Sequence, residues 1–286
     1  YHQYCSDETF STLEVHKTVG GALRVNGTNV TCSKYDWTAG AIDVINNGTF
    51  TVSSQLLDNG IAGNFYLNSG CTINLTNLTG NIDLKGNLYI YGGNFNVYGG
   101  VNPSWWPSGG NASITMSGGI LDFIDQGMLI KTDASYSFTH NITGGTIRTA
   151  GNFACSRSDF NPTAGLIEMT GSNDVLLSMT AGSLHNLTIN KQTTSTVTLS
   201  TDATVNGMLL MDEGIFQINN KVLTTNGNIA VNAGGTFWLD LNAQLKIAGN
   251  KNITVYSGGL LKVIGAAGNE PVITRNGSVG NYIIHV

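Results

Sequence analysis

The chain has 286 residues, of which 41% are hydrophobic and only 11% are charged, and its formal net charge is −5. A typical soluble domain has about 25% charged residues, and asparagine, threonine and serine take their place here. No basic run is present, which argues against nucleic acid as a partner. Apolar runs such as residues 259–264 are far too short for membrane insertion. An amide- and hydroxyl-rich surface is typical of extracellular β-structure, where these side chains bond locally along turns.

The first 21 residues are the least regular part of the sequence, and we predict that residues 1–21 form an N-terminal cap or lead-in. We treat residues 22–286 as one domain because no linker interrupts them. The chain opens with Tyr1 rather than methionine, and residues 281–286 end within an apolar strand pattern. A solenoid end is normally capped, so we expect a fragment whose coils continue beyond residue 286.

From residue 22 onward, short alternating strands recur at a regular spacing. Residues 65–67 align with residues 88–90 at a spacing of 23, and residues 73–75 align with residues 95–97 at a spacing of 22. Alternation with period 2 places every second side chain on the same side of a strand. The apolar positions of these segments are therefore predicted to point into one core.

The residues between those apolar positions include several tyrosines. If Leu88 points inward, Tyr89 and Tyr91 point outward. Tyr66 and Tyr89 occupy equivalent positions in the two aligned segments, so Tyr66 should lie one coil away on the same face, and Tyr98 follows shortly after. Tyrosine is a rigid amphipathic contact residue and a flat platform for sugar rings, so we predict an aromatic contact strip.

Residues 99–110 break the regular repeat, because we expect that two prolines and the adjacent Trp105 and Trp106 cannot continue a strand ladder. We predict a loop that projects beside the aromatic strip. One hypothesis is that Trp105 and Trp106 contact a glycan or a protein. The alternative is that the loop folds back over the edge of an apolar groove.

Residues 122–159 hold the best candidate for catalysis, although the chain has only 18 acidic residues in all. Solenoid carbohydrate enzymes act through clustered carboxylates, with Ca²⁺ and a basic residue in the lyases. The residues that could share one face are Asp122, Asp125, Asp133, Arg148, Arg157, Ser158 and Asp159. The alternative is that their carboxylates bond backbone N–H groups in turns. Elsewhere the sequence has no nucleophile elbow and no metal-ligand spacing, so we predict no catalytic residues, no metal and no cofactor.

The repeat is clearest over residues 182–263. The first strand of each coil places equivalent residues at spacings of 22, 20 and 24: Ile189, Met211, Val231 and Val255. The second strand does so at spacings of 19, 21 and 24: Leu199, Ile218, Leu239 and Val263. A coil of three short strands with intervening turns has a repeat of this length, and stacked coils bury a core that one coil cannot bury alone.

The sequence therefore predicts an all-β, right-handed parallel β-helix with three strands per coil, about 20–24 residues per coil and about a dozen coils. Glycine pairs such as 92–93 and 258–259 fall between strands, where they supply the positive φ angles of tight corners. An antiparallel sandwich or barrel is the structural alternative. It requires hairpin turns, and it leaves the recurrence of every third strand unexplained.

The predicted length of one coil also indicates which of the four cysteines can be neighbours. Cys5 and Cys32 are about one coil apart, which allows a disulfide. Cys71 and Cys155 are separated by roughly four coils at about 4.8 Å each, which is too far for a bridge. We predict that Cys71 and Cys155 are buried free thiols.

Segments such as residues 187–191, 205–207, 223–231 and 234–237 resemble the repeats of very large secreted β-helix proteins of Bacteroidetes-like bacteria. Those proteins usually end in a sorting domain for the type IX secretion system, which this sequence lacks. The resemblance covers most of the chain from about residue 22. It implies export to the cell surface or medium and an adhesive or matrix-like role.

We therefore expect an extracellular, structural or adhesive cell-surface protein without catalytic activity. Its expected partners are surface glycans or other cell-surface proteins, and either further repeats of the same chain or copies stacked end to end. Two alternatives stay open: a carbohydrate-active enzyme of the pectate-lyase or glycoside-hydrolase type, and a glycan-binding module without catalysis.

Overall fold

The computed structural model describes the following residues: 2–16, 21–56, 60–61, 63–78, 83–84, 86–99, 104–105, 111–131, 135–277 and 279–286. They fall into two compact units, Tyr1–Arg148 and Thr149–Val286, and each unit is described by itself. The described part of the chain contains no helix, and so none with the length and apolarity that a membrane crossing requires.

Unit 1 is built from short strands wound into successive coils. In chain order they are β1 (His2–Tyr4), β2 (Glu8–His16), β3 (Ala22–Asn26), β4 (Asn29–Ala39), β5 (Ala41–Ile45), β6 (Thr49–Leu56), β7 (Gly60–Ile61), β8 (Asn64–Leu67), β9 (Thr72–Leu78), β10 (Asp83–Leu84), β11 (Asn87–Ile90), β12 (Asn94–Gly99), β13 (Ser104–Trp105), β14 (Ala112–Met116), β15 (Ile120–Phe123), β16 (Met128–Ile130), β17 (Phe138–Ile142) and β18 (Thr146–Thr149). They form face 1A (β1, β3, β5, β8, β11, β14, β17), face 1B (β2, β4, β6, β9, β12, β15, β18) and face 1C (β7, β10, β13, β16).

Unit 2 repeats the same construction. Its strands are β19 (Phe153–Cys155), β20 (Leu166–Met169), β21 (Val175–Met179), β22 (Asn186–Asn190), β23 (Thr196–Leu199), β24 (Ala203–Val205), β25 (Leu209–Ile218), β26 (Val222–Thr225), β27 (Ile229–Val231), β28 (Gly235–Leu239), β29 (Gln244–Ala248), β30 (Asn252–Val255), β31 (Leu260–Val263), β32 (Val272–Asn276) and β33 (Ile283–His285). They form face 2A (β20, β22, β25, β27, β30, β33), face 2B (β19, β21, β23, β25, β28, β31) and face 2C (β24, β26, β29, β32). The long strand β25 turns a corner and pairs on both face 2A and face 2B.

Neighbouring strands on each face are parallel and in the predicted register. Ile189 lies opposite Met211, and Met211 lies opposite Val231, as the repeat predicts. Inward side chains such as Met211 and Val231 are fully buried, and Phe216 stacks on Phe237 with ring centroids 6.0 Å apart. The prediction of a parallel β-solenoid is confirmed, with about 10 stacked coils.

Some coils are longer than the repeat length that the sequence predicts. In unit 1, Leu88 pairs with Ile114, and Ile114 pairs with His140. In each pair the two residues are further apart in the sequence than the predicted repeat of about 20–24 residues. In unit 2, Ile253 pairs with Ile284, and this step is longer still. The strands keep their length and the turns absorb the extra residues, so the coils number about 10 rather than a dozen.

The N-terminal residues take part in the same pairing. His2 of β1 pairs with Leu23, and Glu8 of β2 pairs with Val30, both in parallel register. The described part of residues 1–21 therefore has the strand pattern of a first coil. The assignment of this segment as a cap or lead-in stays a prediction.

Asparagine ladders explain why so few charges are needed on the surface. On face 1A, Asn87 Nδ2 donates to Asn64 Oδ1 at 2.7 Å, one coil away. On face 1B, Asn96 Nδ2 donates to Asn74 Oδ1 at 2.9 Å. An amide is both donor and acceptor, so it can bond to an identical neighbour in the next coil, whereas like charges placed there would repel each other.

The glycine pairs supply the corners, as predicted. Gly119 has a φ of 74°, and a Cβ added there would lie 2.6 Å from the carbonyl oxygen of Gly93 in the preceding coil. A side chain at this position would meet both backbone strain and a steric clash. Consecutive corners can therefore stack at the close spacing of the strands.

A buried lysine ties three coils of unit 2 together. The Lys191 side chain is only 1% exposed. Its Nζ donates to the carbonyl oxygen of Thr170 and, at 3.3 Å, to that of Ala150. Burial lowers the pKa of Lys191, while nearby Asp174 acts in the opposite direction. The ammonium group thus satisfies two backbone acceptors from successive coils.

We predict that Lys191→Ala destabilises unit 2 by about 3 kcal/mol, because it leaves two buried carbonyl groups unsatisfied and opens a cavity. Native-state hydrogen exchange of the amides of β22 measures this loss. Lys221→Ala is the matched control, because the Lys221 side chain is only half-buried. Equal exchange rates in the two variants would contradict the proposed role of Lys191.

Candidate functional site

The predicted tyrosine strip is present on face 1A. Tyr66 and Tyr89 are register partners, and their rings are stacked with centroids 4.6 Å apart and planes 7° apart. Tyr91 follows β11, with its ring centroid 6.3 Å from that of Tyr89 and its side chain 47% exposed. These three residues are named the tyrosine strip.

A charged pair lies at one end of the tyrosine strip. Arg24, Asp43, Tyr66 and Tyr89 occupy consecutive register positions in one outward column. Arg24 Nη2 lies 2.9 Å from Asp43 Oδ2. The pKa of Tyr66 is raised, first by burial and then by Tyr89, Tyr91 and the Asp43 carboxylate. The hydroxyl of Tyr66 therefore stays protonated and able to donate at neutral pH.

Stacking determines which part of each ring a partner can reach. The rings of Tyr66 and Tyr89 are separated by about the distance between neighbouring strands, so one face of each ring is covered by the other ring. A sugar platform requires an open ring face, whereas the tyrosine strip offers mainly ring edges and hydroxyl groups. Tyr91 is the most accessible member, because its ring is half-exposed.

The other predicted contact residues are not all gathered at this strip. Tyr98 is half-buried in β12, so it belongs to face 1B rather than face 1A. The prediction that residues 99–110 form a loop unable to continue the strand ladder is wrong at one place, because Ser104–Trp105 forms a short strand in which Ser104 pairs with Leu129 and Trp105 with Ile130. The prolines at 103 and 107 flank these two paired residues, which keep their N–H groups. Trp106 and the side chain of Trp105 lie outside the described residues.

Where the structure describes them, the acidic residues considered for catalysis are bonded to an arginine or to the backbone. Asp122 Oδ2 lies 3.1 Å from Arg148 Nη1. The two oxygens of Asp125 accept from the N–H of Gly99 at 2.9 and 3.0 Å. Asp125 thus bonds a backbone N–H, as in the alternative that we considered, but the N–H belongs to a strand of the preceding coil rather than to a local turn.

The remaining residues of the candidate catalytic set either lie at a local ion pair or fall outside the described residues. In unit 2, Arg157 Nη2 and Asp159 Oδ2 form an ion pair at 2.6 Å, and Asp159 is largely exposed. Ser158 lies between them, and Asp133 lies outside the described residues. Within the described ranges, no group of three or more histidine, cysteine or acidic residues is arranged to hold a metal ion.

No protein-family model, curated protein or solved structure matches this chain. The basis for a functional assignment is therefore the chemistry of its own side chains.

A groove in unit 2 is a surface feature that the sequence reasoning missed. It has a volume of about 350 Å³ and lies at the corner between faces 2C and 2A. The Asn-Gly pairs at positions 206–207 and 226–227, one repeat apart, are the signal that could have indicated it. Repeated glycine at one corner removes side chains from successive coils and leaves a depression.

The disulfide that the spacing allows between Cys5 and Cys32 is not formed in the structure, where both residues are free thiols. The register places Phe10 opposite Cys32, whereas Cys5 lies in the exposed segment between β1 and β2. Cys71 and Cys155 are buried free thiols, as predicted. Burial raises the pKa of Cys32 to about 12 and that of Cys155 to about 11.

We predict that only Cys5 reacts rapidly with a maleimide at pH 7.5, because the thiolate is the nucleophile and buried thiols form it poorly. Mass spectrometry of the labelled native protein should show a single adduct, and Cys5→Ser should remove it. The unfolded protein should take up four adducts, one for each cysteine of the chain. An unfolded chain that takes up only two adducts until it is reduced, and then gains those at Cys5 and Cys32, would show that a disulfide forms.

Proposed function

We propose that this chain is an extracellular cell-surface β-solenoid with a structural or adhesive role and no catalytic activity. The observation that carries the proposal is the pairing of outward polar residues with their counterparts in the next coil. Asn87 bonds to Asn64 in unit 1, and Asn226 bonds to Asn206 at 2.8 Å in unit 2. Such a surface is stable without a ligand, which suits a protein that serves as a scaffold.

The tyrosine strip supports the adhesive part of the proposal. Tyr91 exposes nearly half of its side chain. Tyrosine combines a large apolar area with a hydroxyl group at low entropic cost, which favours contacts with surface glycans or with other cell-surface proteins. The tryptophans at 105 and 106 are proposed to contribute to the same contact.

End-to-end stacking, either with further repeats of the same chain or with other copies, is proposed as a partner mode. Within unit 2, successive coils stack by parallel pairing of equivalent residues, as between Leu239 and Val263 and between Ile253 and Ile284. A parallel solenoid can extend by the same pairing, because each coil presents strand edges to the next.

Export by a type IX system is a proposal based on the resemblance of residues 187–191 and 223–231 to secreted bacterial repeats. The amide-rich surface is consistent with an extracellular location. A carbohydrate-active enzyme is less favoured, since Asp122 and Asp159 are held by arginines and Asp125 is bonded to the backbone.

Adhesion is tested with beads that carry the whole chain, flowed over bacterial and host cells. We expect wild-type beads to be retained, and Tyr89→Ala/Tyr91→Ala beads to be retained several-fold less. A Trp105→Ala/Trp106→Ala variant should also lose retention. Tyr136→Ala is the matched control, because Tyr136 is 38% exposed and lies outside the strip.

Two results would contradict the proposal. One is retention of wild-type beads no greater than that of albumin-coated beads on every cell type. The other is release of new reducing or unsaturated sugar ends when the protein is incubated with polysaccharides and Ca²⁺, because this would indicate catalysis. Circular dichroism of each variant confirms that the fold is intact.

A further inference from the structure

The groove of unit 2 lies where the chain passes from face 2C to face 2A. Three successive turns form it, and they contribute Asn206 to Met208, Asn226 to Asn228, and Lys251 with Asn252. Its volume of about 350 Å³ is at the small end of the range for ligand pockets. It is therefore large enough for a small molecule or for one or two rings of a longer chain.

Small residues make this part of the surface concave. A Cβ added at Gly227 would run into the carbonyl group of Gly207 in the preceding coil, so the two corners pack directly on each other. Ala230 occupies an outward position between Leu210 and Thr254 in the same column. A short side chain between longer ones extends the depression from the corner onto face 2A.

Some of the polar groups in the groove form a ladder, whereas others keep unused hydrogen-bond donors. Asn206 and Asn226 are bonded to each other at 2.8 Å, as in the other ladders. The side chain of Asn228, in contrast, bonds to the described residues only through its Oδ1, which accepts from the N–H of Asn252 at 3.1 Å. Within the described part of unit 2, the side chains of Asn252 and Lys251 have no hydrogen-bond partner. The groove thus contains amide and ammonium donors that are free to bind a ligand.

An exposed aromatic ring and a thioether flank these polar groups. Tyr256 is 55% exposed and Met208 is 45% exposed. Among the described residues Tyr256 makes no ring contact, whereas the rings of Tyr66 and Tyr89 in unit 1 cover each other. Tyr256 can therefore offer an open ring face, which is the feature that the tyrosine strip largely lacks.

We propose that this groove binds a saccharide ring that bears a carboxylate, as in an acidic polysaccharide. Tyr256 forms the platform for the ring, and Asn228 and Asn252 bond its hydroxyl groups. Lys251 is the one basic residue in the lining, and its ammonium group pairs with the carboxylate. This binding goes beyond the structural and adhesive role, and it uses a different unit from the tyrosine strip.

The test is calorimetric titration of the whole chain, at 0.15 M salt, with two matched probes. One is a hexamer of β-1,4-linked mannuronate and the other is the neutral hexamer of β-1,4-linked mannose. The wild type should bind the acidic hexamer more tightly than the neutral one. Lys251→Gln should lower the affinity for the acidic hexamer about fivefold, which is the scale of one exposed charge-assisted bond. It should leave the affinity for the neutral hexamer unchanged.

Two further variants complete the test. Tyr256→Ala should weaken both hexamers, since both use the ring platform, and Lys221→Gln should weaken neither. Failure of both hexamers to bind at millimolar concentration would overturn the proposal, and so would equal loss of acidic binding in Lys251→Gln and Lys221→Gln. Neither result would bear on adhesion through the tyrosine strip, because the bead assay measures that contact separately.

Discussion

Parallel, in-register pairing of successive coils is the constraint on which the rest of the structure depends. Each residue lies about 4.8 Å from its equivalent in the next coil, so every side chain has a counterpart of the same orientation above and below it. Apolar positions form continuous inward columns such as Leu209 and Ile229. Outward positions must likewise tolerate a close neighbour of their own kind.

That constraint explains the unusual composition. Lysine or glutamate repeated along an outward column would place like charges side by side, which is destabilising. Asparagine is self-complementary, and the ladders at Asn64 and Asn206 use this property. Charges are tolerated where neighbours differ in sign, as in the pair of Arg24 and Asp43. The low charge content therefore follows from the fold itself.

The same constraint bears on function. Outward aromatic residues in register stack on each other along the coils, and the ring of Trp238 is likewise covered by Lys262 Nζ at 3.4 Å from its centroid. In a regular column, neighbouring side chains therefore cover much of the surface that each of them could offer to a binding partner. Open surface arises where the regularity is broken, at Tyr91 beside its turn and in the groove beside Gly227.

The sequence predicted the fold well because the spacing of the repeat directly gives the register in which neighbouring strands pair. The pairing of Ile189 with Met211 and the stacking of Tyr66 on Tyr89 follow from their spacing alone. The sequence did not predict features that depend on turn conformation: the face that Tyr98 occupies, the short strand at Ser104, and the groove. Turns differ in length from coil to coil, so spacing alone does not determine where their side chains lie.

Distance-selective cross-linking tests the registry most directly. In a Cys5→Ser background, Thr198→Cys/Gln217→Cys places two thiols at register partners on face 2B, within disulfide range. Thr198→Cys/Ile215→Cys places them on the same face but diagonally out of register, about 7–8 Å apart between Cα atoms. We predict that mild oxidation rapidly closes a disulfide in the first variant and not in the second. Equal or faster closure in the second variant would contradict in-register stacking.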